Sequence, residues 1–383
     1  MSKSKTSAGN FFEDFRIGQE IRHATPRTLT EADAALNIGL YGSRFAINSS
    51  DVFARALGLP RAPLDELLVF HVVIGKTVPD ISLNAVANLG YAEFRWGVPV
   101  YPGDTVSAHS TVLGLRENSN RTSGVVWVRS IGTNQIGEMV LDYVRWVMVH
   151  KRDHAAAVGA PVVPKTASSV APQDLIVPAN LTLGAYDDVA AGSPYRWEDY
   201  EAGERIDHVS GITLEDSDHM FSTRLYQNTA RVHFDAYAGK NTRFGRRLAY
   251  GGHVISLARA LSFNGLANGF RVAAINAGSH VAPTFGGDTI YAWSEVLEKA
   301  PLPGRSDVGG LRVRTIAAKD CPCDSWPGKQ ADGKYHPAVV LDLDYWLLVP
   351  RRGAEAGVGI DREFAEAICG PAFVGRAIPG AAT

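Results

Sequence analysis

The sequence has few cysteines, almost no net charge and no long apolar run. Its three cysteines, Cys321, Cys323 and Cys369, are too few for a disulfide framework or a closed four-thiolate zinc site, and they indicate reduced thiols in a cytoplasmic protein. The net charge of −2 lacks the basic excess typical of proteins that bind nucleic acids or membrane surfaces. The most apolar stretch, residues 67–74, is interrupted by His71 and is far too short to span a bilayer. The polar N-terminus, MSKSKTSAGN, does not have the apolar segment of a signal peptide.

The clearest feature that is present is internal repetition. FFEDFRIGQE recurs as WEDYEAGERI, and LYGSRFAIN recurs as LYQNTARVH. Tyr41 and Tyr226 are 185 residues apart, while His71 and His253 are 182 residues apart. Because several segments recur in the same order at nearly the same spacing, the chain is predicted to contain two copies of one unit.

The repeat predicts the domain boundaries. The copies cover residues 11–151 and 193–350, joined by residues 152–192, which are rich in Ala, Pro and Ser and predict an extended linker. Relative to the first copy, the second carries an insertion at about residues 319–337, which is predicted to be a surface loop. Residues 351–383 form a C-terminal tail with one short amphipathic stretch, DREFAEAI.

Each copy combines one very apolar helix with several strands. The first helix is predicted over residues 65–77, with Asp65 as its N-cap, and its counterpart over residues 249–262. Runs such as TVSAHSTVLGL and TIYAWSEVLEK follow, in which β-branched and aromatic residues alternate with others, as in antiparallel strands. We therefore expect an α+β unit in which a sheet wraps around a buried helix, with the strands of both units sharing one continuous sheet.

Two sets of motifs resemble a known family. PVYPGDT and PTFGGDT resemble the PxxPGDT segment of the MaoC-like (R)-specific enoyl-CoA hydratases, which have the hot-dog fold. Their signature, G-D-x-N-P-I-H-x-D followed by A-H-G, is similar to QNTARVHFD and AYGG at residues 227–235 and 249–252. His233 falls on the catalytic histidine of that signature, and Asn228 on the catalytic aspartate. The resemblance implies a double hot-dog protein.

Longer segments are closer still to the mesaconyl-CoA (2-methylfumaryl-CoA) hydratases. They include HATPRTLTEAD, GKTVPDISLNAVANLGYAEFRW and TRLYQNTARVHFDAYAGK. The resemblance implies reversible addition of water to mesaconyl-CoA, giving β-methylmalyl-CoA, with neither a metal nor another cofactor. In the first copy Asn48 occupies the position of His233. We therefore expect the first unit to be a scaffold with a substrate tunnel, and one active site in each chain.

The chemistry of hydration assigns roles to three of these residues. His233 is the predicted acid or base, because imidazole titrates near neutral pH. The N–H groups of Gly251 or Gly252, at the start of the second helix, are predicted to stabilise the negative charge on the thioester oxygen. His71 and His253, which lie in apolar helices of both copies, are interpreted as packed core residues.

Asn228, Arg231 and Tyr226 complete the predicted site. Asn228 either positions the attacking water or caps the following turn. An aspartate there, about 5 Å from the substrate carboxylate, would cost on the order of 3 kcal/mol at an effective dielectric of about 20. Arg231 and Tyr226 are the predicted substrate-binding residues, with Arg231 either pairing with that carboxylate or lying on the surface.

Other residues and functions stay open at this point. Asp235 is a candidate for a missing carboxylate, although its spacing from His233 differs from that of the family's acid. Three arginines either contact CoA phosphates or form a solvated basic face: Arg243, Arg246 and Arg247. The alternative functions are a hot-dog thioesterase and a non-catalytic acyl-CoA binding protein. A homodimer and a monomer are both compatible with the fused repeat.

Overall fold

The computed structural model describes residues 5–353. Within them the chain forms twelve strands: β1 (Glu20–Arg22), β2 (Arg27–Thr28), β3 (Ala85–Trp96), β4 (Thr105–Glu117), β5 (Ser123–Thr133), β6 (Met139–His150), β7 (Arg205–Asp207), β8 (Ile212–Thr213), β9 (Arg271–His280), β10 (Thr289–Leu302), β11 (Arg305–Lys319) and β12 (Val339–Pro350). The same residues form ten α-helices: α1 (Glu31–Tyr41), α2 (Ala46–Ser49), α3 (Asp51–Ala56), α4 (Glu66–Thr77), α5 (Asp188–Ala191), α6 (Asp216–Leu225), α7 (Arg231–Phe234), α8 (Ala236–Gly239), α9 (Gly251–Leu261) and α10 (Phe263–Leu266). A π-helical turn, Val78–Ser82, extends α4.

The strands form one antiparallel sheet with a symmetric order. That order is β1-β4-β5-β6-β3-β9-β12-β11-β10-β7, with β2 and β8 paired to β4 and β10. The five strands on one side of the β3–β9 junction repeat in reverse order on the other side, so the two copies meet edge to edge at β3 and β9. This arrangement confirms the predicted α+β class and the continuous sheet shared by the two units.

The long helices α4 and α9 pack against this sheet. Asp65 caps α4 by accepting a hydrogen bond from the Leu67 N–H at 2.7 Å, as the sequence predicts. Every residue of α4 is buried, because the helix contacts β4 and β6 while the C-terminal unit covers its other side. The counterpart α9 lies against β10, β11 and β12. No helix between residues 5 and 353 is both long and apolar enough to cross a membrane.

Two tyrosines at equivalent repeat positions join the units at the centre of the protein. The hydroxyl groups of Tyr41 and Tyr226 share a hydrogen bond of 2.8 Å. The ring of His253 lies 5.1 Å from that of Tyr41, and the ring of His71 lies 4.6 Å from that of Tyr226. Both histidines are buried, and burial lowers the pKa of each. They are neutral packed residues of the interface between the two units.

The segment between the copies is irregular but closely packed. It contains a single 3₁₀ turn at Pro172–Asp174 and the short helix α5. Six of its residues join a buried hydrophobic cluster on the sheet: Val170, Leu175, Leu181, Leu183, Tyr186 and Ala191. The Trp346 indole N–H donates to the Val170 carbonyl at 3.0 Å. The predicted linker is therefore part of the core and not a free tether.

The insertion of the second copy lies between β11 and β12. Its Cys321 is partly exposed and its Cys323 is buried, and both are free thiols. Burial raises the pKa of Cys323 to about 12, so this thiol is protonated and unreactive at neutral pH. Cys369 and the DREFAEAI stretch of the predicted tail lie outside the described residues.

Candidate active site

A cavity of about 220 Å³ lies between the two units. Residues of α4, β3 and β6 in the N-terminal unit form one wall of the cavity. The C-terminal unit contributes the turn before α7, the start of α9 and the end of β9. The cavity has room for several water molecules or a small acyl group, since one water occupies about 30 Å³ of liquid.

His233 lines this cavity from the short helix α7. Its Nδ1–H donates to the Leu248 carbonyl at 2.9 Å, so Nε2 is the unprotonated nitrogen. The Leu248 N–H in turn donates to the Val232 carbonyl at 3.1 Å, which ties α7 to the segment that leads into α9. Burial lowers the pKa of His233 to about 4, so the imidazole is neutral at pH 7 and able to accept a proton.

The start of α9 faces the same space. Gly251 lines the cavity, and Gly252 is buried directly behind it. The first hydrogen bond of this helix is the one from the His253 N–H to the Tyr250 carbonyl, so the N–H groups of both glycines precede it. A Cβ at Gly251 would lie 2.4 Å from the His280 ring, and one at Gly252 would lie 2.4 Å from the Tyr250 ring. Any larger residue at either position would therefore require one of these rings to shift.

His219 fixes the start of this helix and was not found from the sequence. It is buried on α6, and its Nε2 accepts a hydrogen bond from the Tyr250 N–H at 2.9 Å. The bond orients the backbone immediately before Gly251. Burial lowers the pKa of His219 to about 2, which keeps the imidazole neutral and Nε2 free to accept. No motif marks it, because the equivalent residue of the first copy is Ala34.

Asn228 lines the cavity beside His233 and also stabilises its own turn. The side chain is 2% exposed, and Oδ1 accepts a hydrogen bond from the Ala230 N–H at 3.3 Å. The preceding residue, Gln227, has a φ of 56°. Both alternatives left open by the sequence, the turn cap and the cavity position, are thus compatible with one conformation.

Tyr226 and Arg231 do not line the cavity. Tyr226 is fully buried, and its hydroxyl donates to Asn37 Oδ1 at 3.1 Å, because the residue sits at the junction of the repeats. Arg231 is exposed at the start of α7, where its Nη1 donates to Asn84 Oδ1 at 3.3 Å. Asp235 caps α8 through the N–H groups of Tyr237 and Ala238. It does not line the cavity either.

The three arginines after α8 separate in the structure. Arg243 is exposed and lines the cavity, with its guanidinium 4.6 Å above the Phe244 ring. Arg246 donates to the Gly286 carbonyl, and Arg247 lies 3.6 Å from Asp216. Of the three, Arg243 is therefore the one placed to meet a charged group that enters the cavity.

Three more cavity residues were missed by the sequence analysis: His280, Asn88 and Arg145. Burial lowers the pKa of His280, at the end of β9, to about 4. Arg145 carried a usable signal. It is a charge within the otherwise apolar run YVRWVMV of a predicted strand, and the register of the sheet gives the uncharged Tyr345 in the equivalent place of the second copy.

The equivalent region of the first copy is nearly filled. Asn48, in the position of His233, borders a space of about 10 Å³, which holds about one water molecule. Asn48 Nδ2 donates to the Pro63 carbonyl at 3.2 Å. Within residues 5–353, no group of three or more His, Cys, Asp or Glu side chains is arranged to hold a metal ion.

The symmetric sheet, its two buried helices and His233 beside the start of the second helix define a double hot-dog protein of the MaoC-like dehydratase type. The crystal structure of a MaoC domain protein dehydratase from Chloroflexus aurantiacus is 61% identical, with a TM-score of 0.90, over 92% of this chain and 100% of that chain. A Mycobacterium tuberculosis protein with a double hot-dog fold is 25% identical, with a TM-score of 0.72, over 90% of this chain and 99% of that chain.

The sequence comparisons identify the family within this class. The chain belongs to the mesaconyl-CoA hydratase family, whose sequence model matches residues 2–330. It is 61% identical to the β-methylmalyl-CoA dehydratase of Chloroflexus aurantiacus, over 91% of this chain and 99% of that protein. It is also 61% identical to the mesaconyl-CoA hydratase of Cereibacter sphaeroides, over 91% of this chain and 100% of that protein.

Proposed function

We propose that this protein catalyses the reversible addition of water to mesaconyl-CoA, giving β-methylmalyl-CoA. The observation that carries the proposal is that His233 and the start of α9 line the same cavity. The hydrogen bond to Leu248 leaves Nε2 free on the cavity side, and the ring lies 5.6 Å from that of Tyr250, the residue before Gly251. The relatives named above act on the same pair of compounds by name.

In the proposed reaction, neutral His233 removes a proton from water as the water oxygen bonds to Cβ. The C=C electron pair moves toward the thioester, whose carbonyl oxygen becomes negative. His233, now protonated, returns the proton to Cα, so one water is added and nothing is oxidised or reduced. The low pKa of His233 makes the imidazolium a strong acid for this second transfer.

The start of α9 stabilises the negative oxygen in this scheme. The N–H groups of Gly251 and Gly252 are the donors, and the positive end of the helix dipole adds to their effect. Removing one oxyanion-hole donor from an enzyme that performs acyl transfer costs about 10²–10³ in kcat. His219 orients these donors through Tyr250. Asn228 positions the water with a neutral amide, which avoids placing a second carboxylate beside that of the substrate.

CoA itself is expected to enter past Arg243, whose exposed guanidinium at the cavity wall suits a phosphate group. The N-terminal unit, residues 11–151, is proposed to supply the opposite wall without its own catalytic centre, since the space beside Asn48 is too small for an acyl group. The cytoplasmic location and the homodimer remain predictions of the sequence.

The test is to incubate the protein with mesaconyl-CoA and measure both the mass gain of one water and the loss of enoyl absorbance. His233→Gln should lower kcat by about 10²–10⁴-fold, the usual contribution of a positioned acid or base. The control is His208→Gln, a buried histidine whose partners Asn264 and Ser294 lie outside the cavity, with the fold of both variants checked by circular dichroism.

Two outcomes would contradict the proposal. Release of free thiol without water addition would identify a thioesterase. Binding of mesaconyl-CoA with no turnover, or turnover unaffected by His233→Gln, would indicate a binding protein or a different catalytic residue.

A further inference from the structure

Arg145 is a buried arginine without an acidic partner. It is 3% exposed and lines the cavity. Its Nε has no hydrogen-bond partner, and no carboxylate in the described part of the chain lies within ion-pair distance of its guanidinium. Arg271, which is equally buried, lies 3.6 Å from Glu66. An unpaired buried charge is costly, so the environment of Arg145 suits an anion supplied from outside the chain.

Asn88 presents unsatisfied polar atoms to the same cavity. Both its Nδ2 and its Oδ1 are buried without a hydrogen-bond partner among the described residues. In the sheet, Asn88 of β3 lies opposite Val147 of β6, and Tyr91 lies opposite Arg145. These four residues all line the cavity, so they share one face of the sheet.

The position of Arg145 places its charge beside the proposed reaction site. Across the junction of the units, Tyr91 lies opposite Gly278 of β9, two residues before His280. Burial raises the pKa of Tyr91 and of Tyr250, and the charge of Arg145 opposes the rise at both. Tyr250 in turn contacts His233.

The guanidinium is held in one orientation. Its Nη2 donates to Thr77 Oγ1 at 2.8 Å and to Ser82 Oγ at 3.3 Å, at the end of α4 and in the π-helical turn. These two bonds use both hydrogens of Nη2 and leave Nε and Nη1 as single donors on opposite edges of the guanidinium. Each free donor can bind one oxygen of an anion, and the positive charge of the guanidinium suits a carboxylate.

The fold itself does not require this charge. In the sheet, Arg145 lies between Tyr91 and Val128, and the residue in the equivalent place of the second unit is Tyr345, which lies between Ile275 and Val313. The second unit therefore builds the same part of the sheet with an uncharged tyrosine.

We propose that Arg145 and Asn88 bind the free carboxylate of the substrate, and that they select a short branched dicarboxylic acyl-CoA over a monocarboxylic one. This inference rests on the proposed function. In mesaconyl-CoA the carboxylate is attached to Cβ, the carbon that water attacks. Arg145 neutralises this charge, which would otherwise repel the developing hydroxide. The exposed Arg231, predicted for this role from the sequence, is outside the cavity wall.

The test compares two saturated thioesters that cannot be hydrated. Methylsuccinyl-CoA keeps the carboxylate, and 2-methylbutyryl-CoA has a methyl group in its place. Binding to the wild type and to Arg145→Gln, Arg145→Lys and Asn88→Leu is measured by calorimetry. We expect Arg145→Gln to lower the affinity for methylsuccinyl-CoA by about 100-fold, the usual effect of leaving a buried charge unpaired. The affinity for 2-methylbutyryl-CoA should fall by less than about threefold.

Arg145→Lys should lower the affinity for methylsuccinyl-CoA by less than Arg145→Gln does. Asn88→Leu should lower it by about tenfold, and neither variant should change the affinity for 2-methylbutyryl-CoA. The matched control is Arg314→Gln on β11, whose arginine pairs with Asp342 outside the cavity. If Arg145→Gln does not fold, the other two variants carry the comparison.

Equal weakening of both ligands, or loss of the preference in Arg231→Gln and not in the Arg145 variants, would overturn the inference. Failure of the proposed function is a different result. In that case the wild type would prefer methylsuccinyl-CoA but would not add water to mesaconyl-CoA.

Discussion

Gly75 allows the two units to approach each other where the candidate site is built. It lies in α4, and a Cβ at this position would be 1.8 Å from the Tyr226 carbonyl oxygen and 2.9 Å from the Tyr226 carbonyl carbon. An ordinary contact is about 3.5 Å, so Gly75→Ala should move the turn at residues 226–228 by about 1.5 Å. The turn has little freedom to adjust, because the Asn228 N–H donates to the Thr223 carbonyl at 2.8 Å.

The substitution should affect both activity and stability. A displacement of about 1 Å in a positioning element costs about 10²-fold in rate, so kcat for mesaconyl-CoA should fall by about that factor. Overpacking should lower the free energy of unfolding by about 1–3 kcal/mol, partly offset by the higher helix propensity of alanine. The measurements are steady-state kinetics and urea unfolding.

Gly39→Ala is the matched control. Gly39 is an exposed residue of α1 with no atom within 4 Å of an added Cβ, so the same substitution should be neutral or stabilise the protein by up to about 1 kcal/mol. The reasoning is refuted if Gly75→Ala keeps both the kcat and the unfolding midpoint of the wild type. A loss of stability with unchanged kcat would show that the contact does not position Asn228.

Three further predictions follow from the site and the core. Asn228→Asp should lower the rate with mesaconyl-CoA more than with crotonyl-CoA, because only the former carries a carboxylate; equal losses would reject the charge argument. Gly251→Ala should lower kcat by at least about tenfold, because the new methyl group meets the His280 ring and displaces the start of α9, and unchanged kinetics would show that this close approach is not needed for activity. Burial lowers the pKa of His208 to about 4 and of His253 to about 3, below the 6.5 of the unfolded chain. The unfolded state therefore binds more protons below pH 6.5, and stability should fall from there toward pH 4 by about 1.4 kcal/mol per pH unit for each histidine. A urea midpoint that is equal at pH 7 and pH 5.5 would contradict this.

The sequence predicted the features that depend on local patterns. The repeat, in which Tyr41 and Tyr226 occupy equivalent positions, predicted two equivalent units. In the structure these two tyrosines meet at the junction of the units. Asp65 after a proline predicted the start of α4, since an N-cap acts within one helical turn. His233 was found because the family signature is contiguous and lies within one short segment.

The linker shows where composition alone misleads. Residues 152–192 have the Ala, Pro and Ser content of a free tether, yet Leu181 and Leu183 are buried against the sheet. Composition indicates that such a segment forms little regular structure, which is observed. Whether it packs depends on an apolar surface elsewhere in the fold, to which Trp346 contributes.

The sequence by itself determined the duplicated α+β architecture, the two buried helices and the contiguous motif that contains His233. Only the tertiary structure brought Arg145, Asn88, His219 and His280 to the same site. These residues come from separate strands and helices of both units, and the register across β3, β6 and β9 decides which side chains share a face. That register depends on the packing of the two units against each other, so no local pattern in the chain carries it.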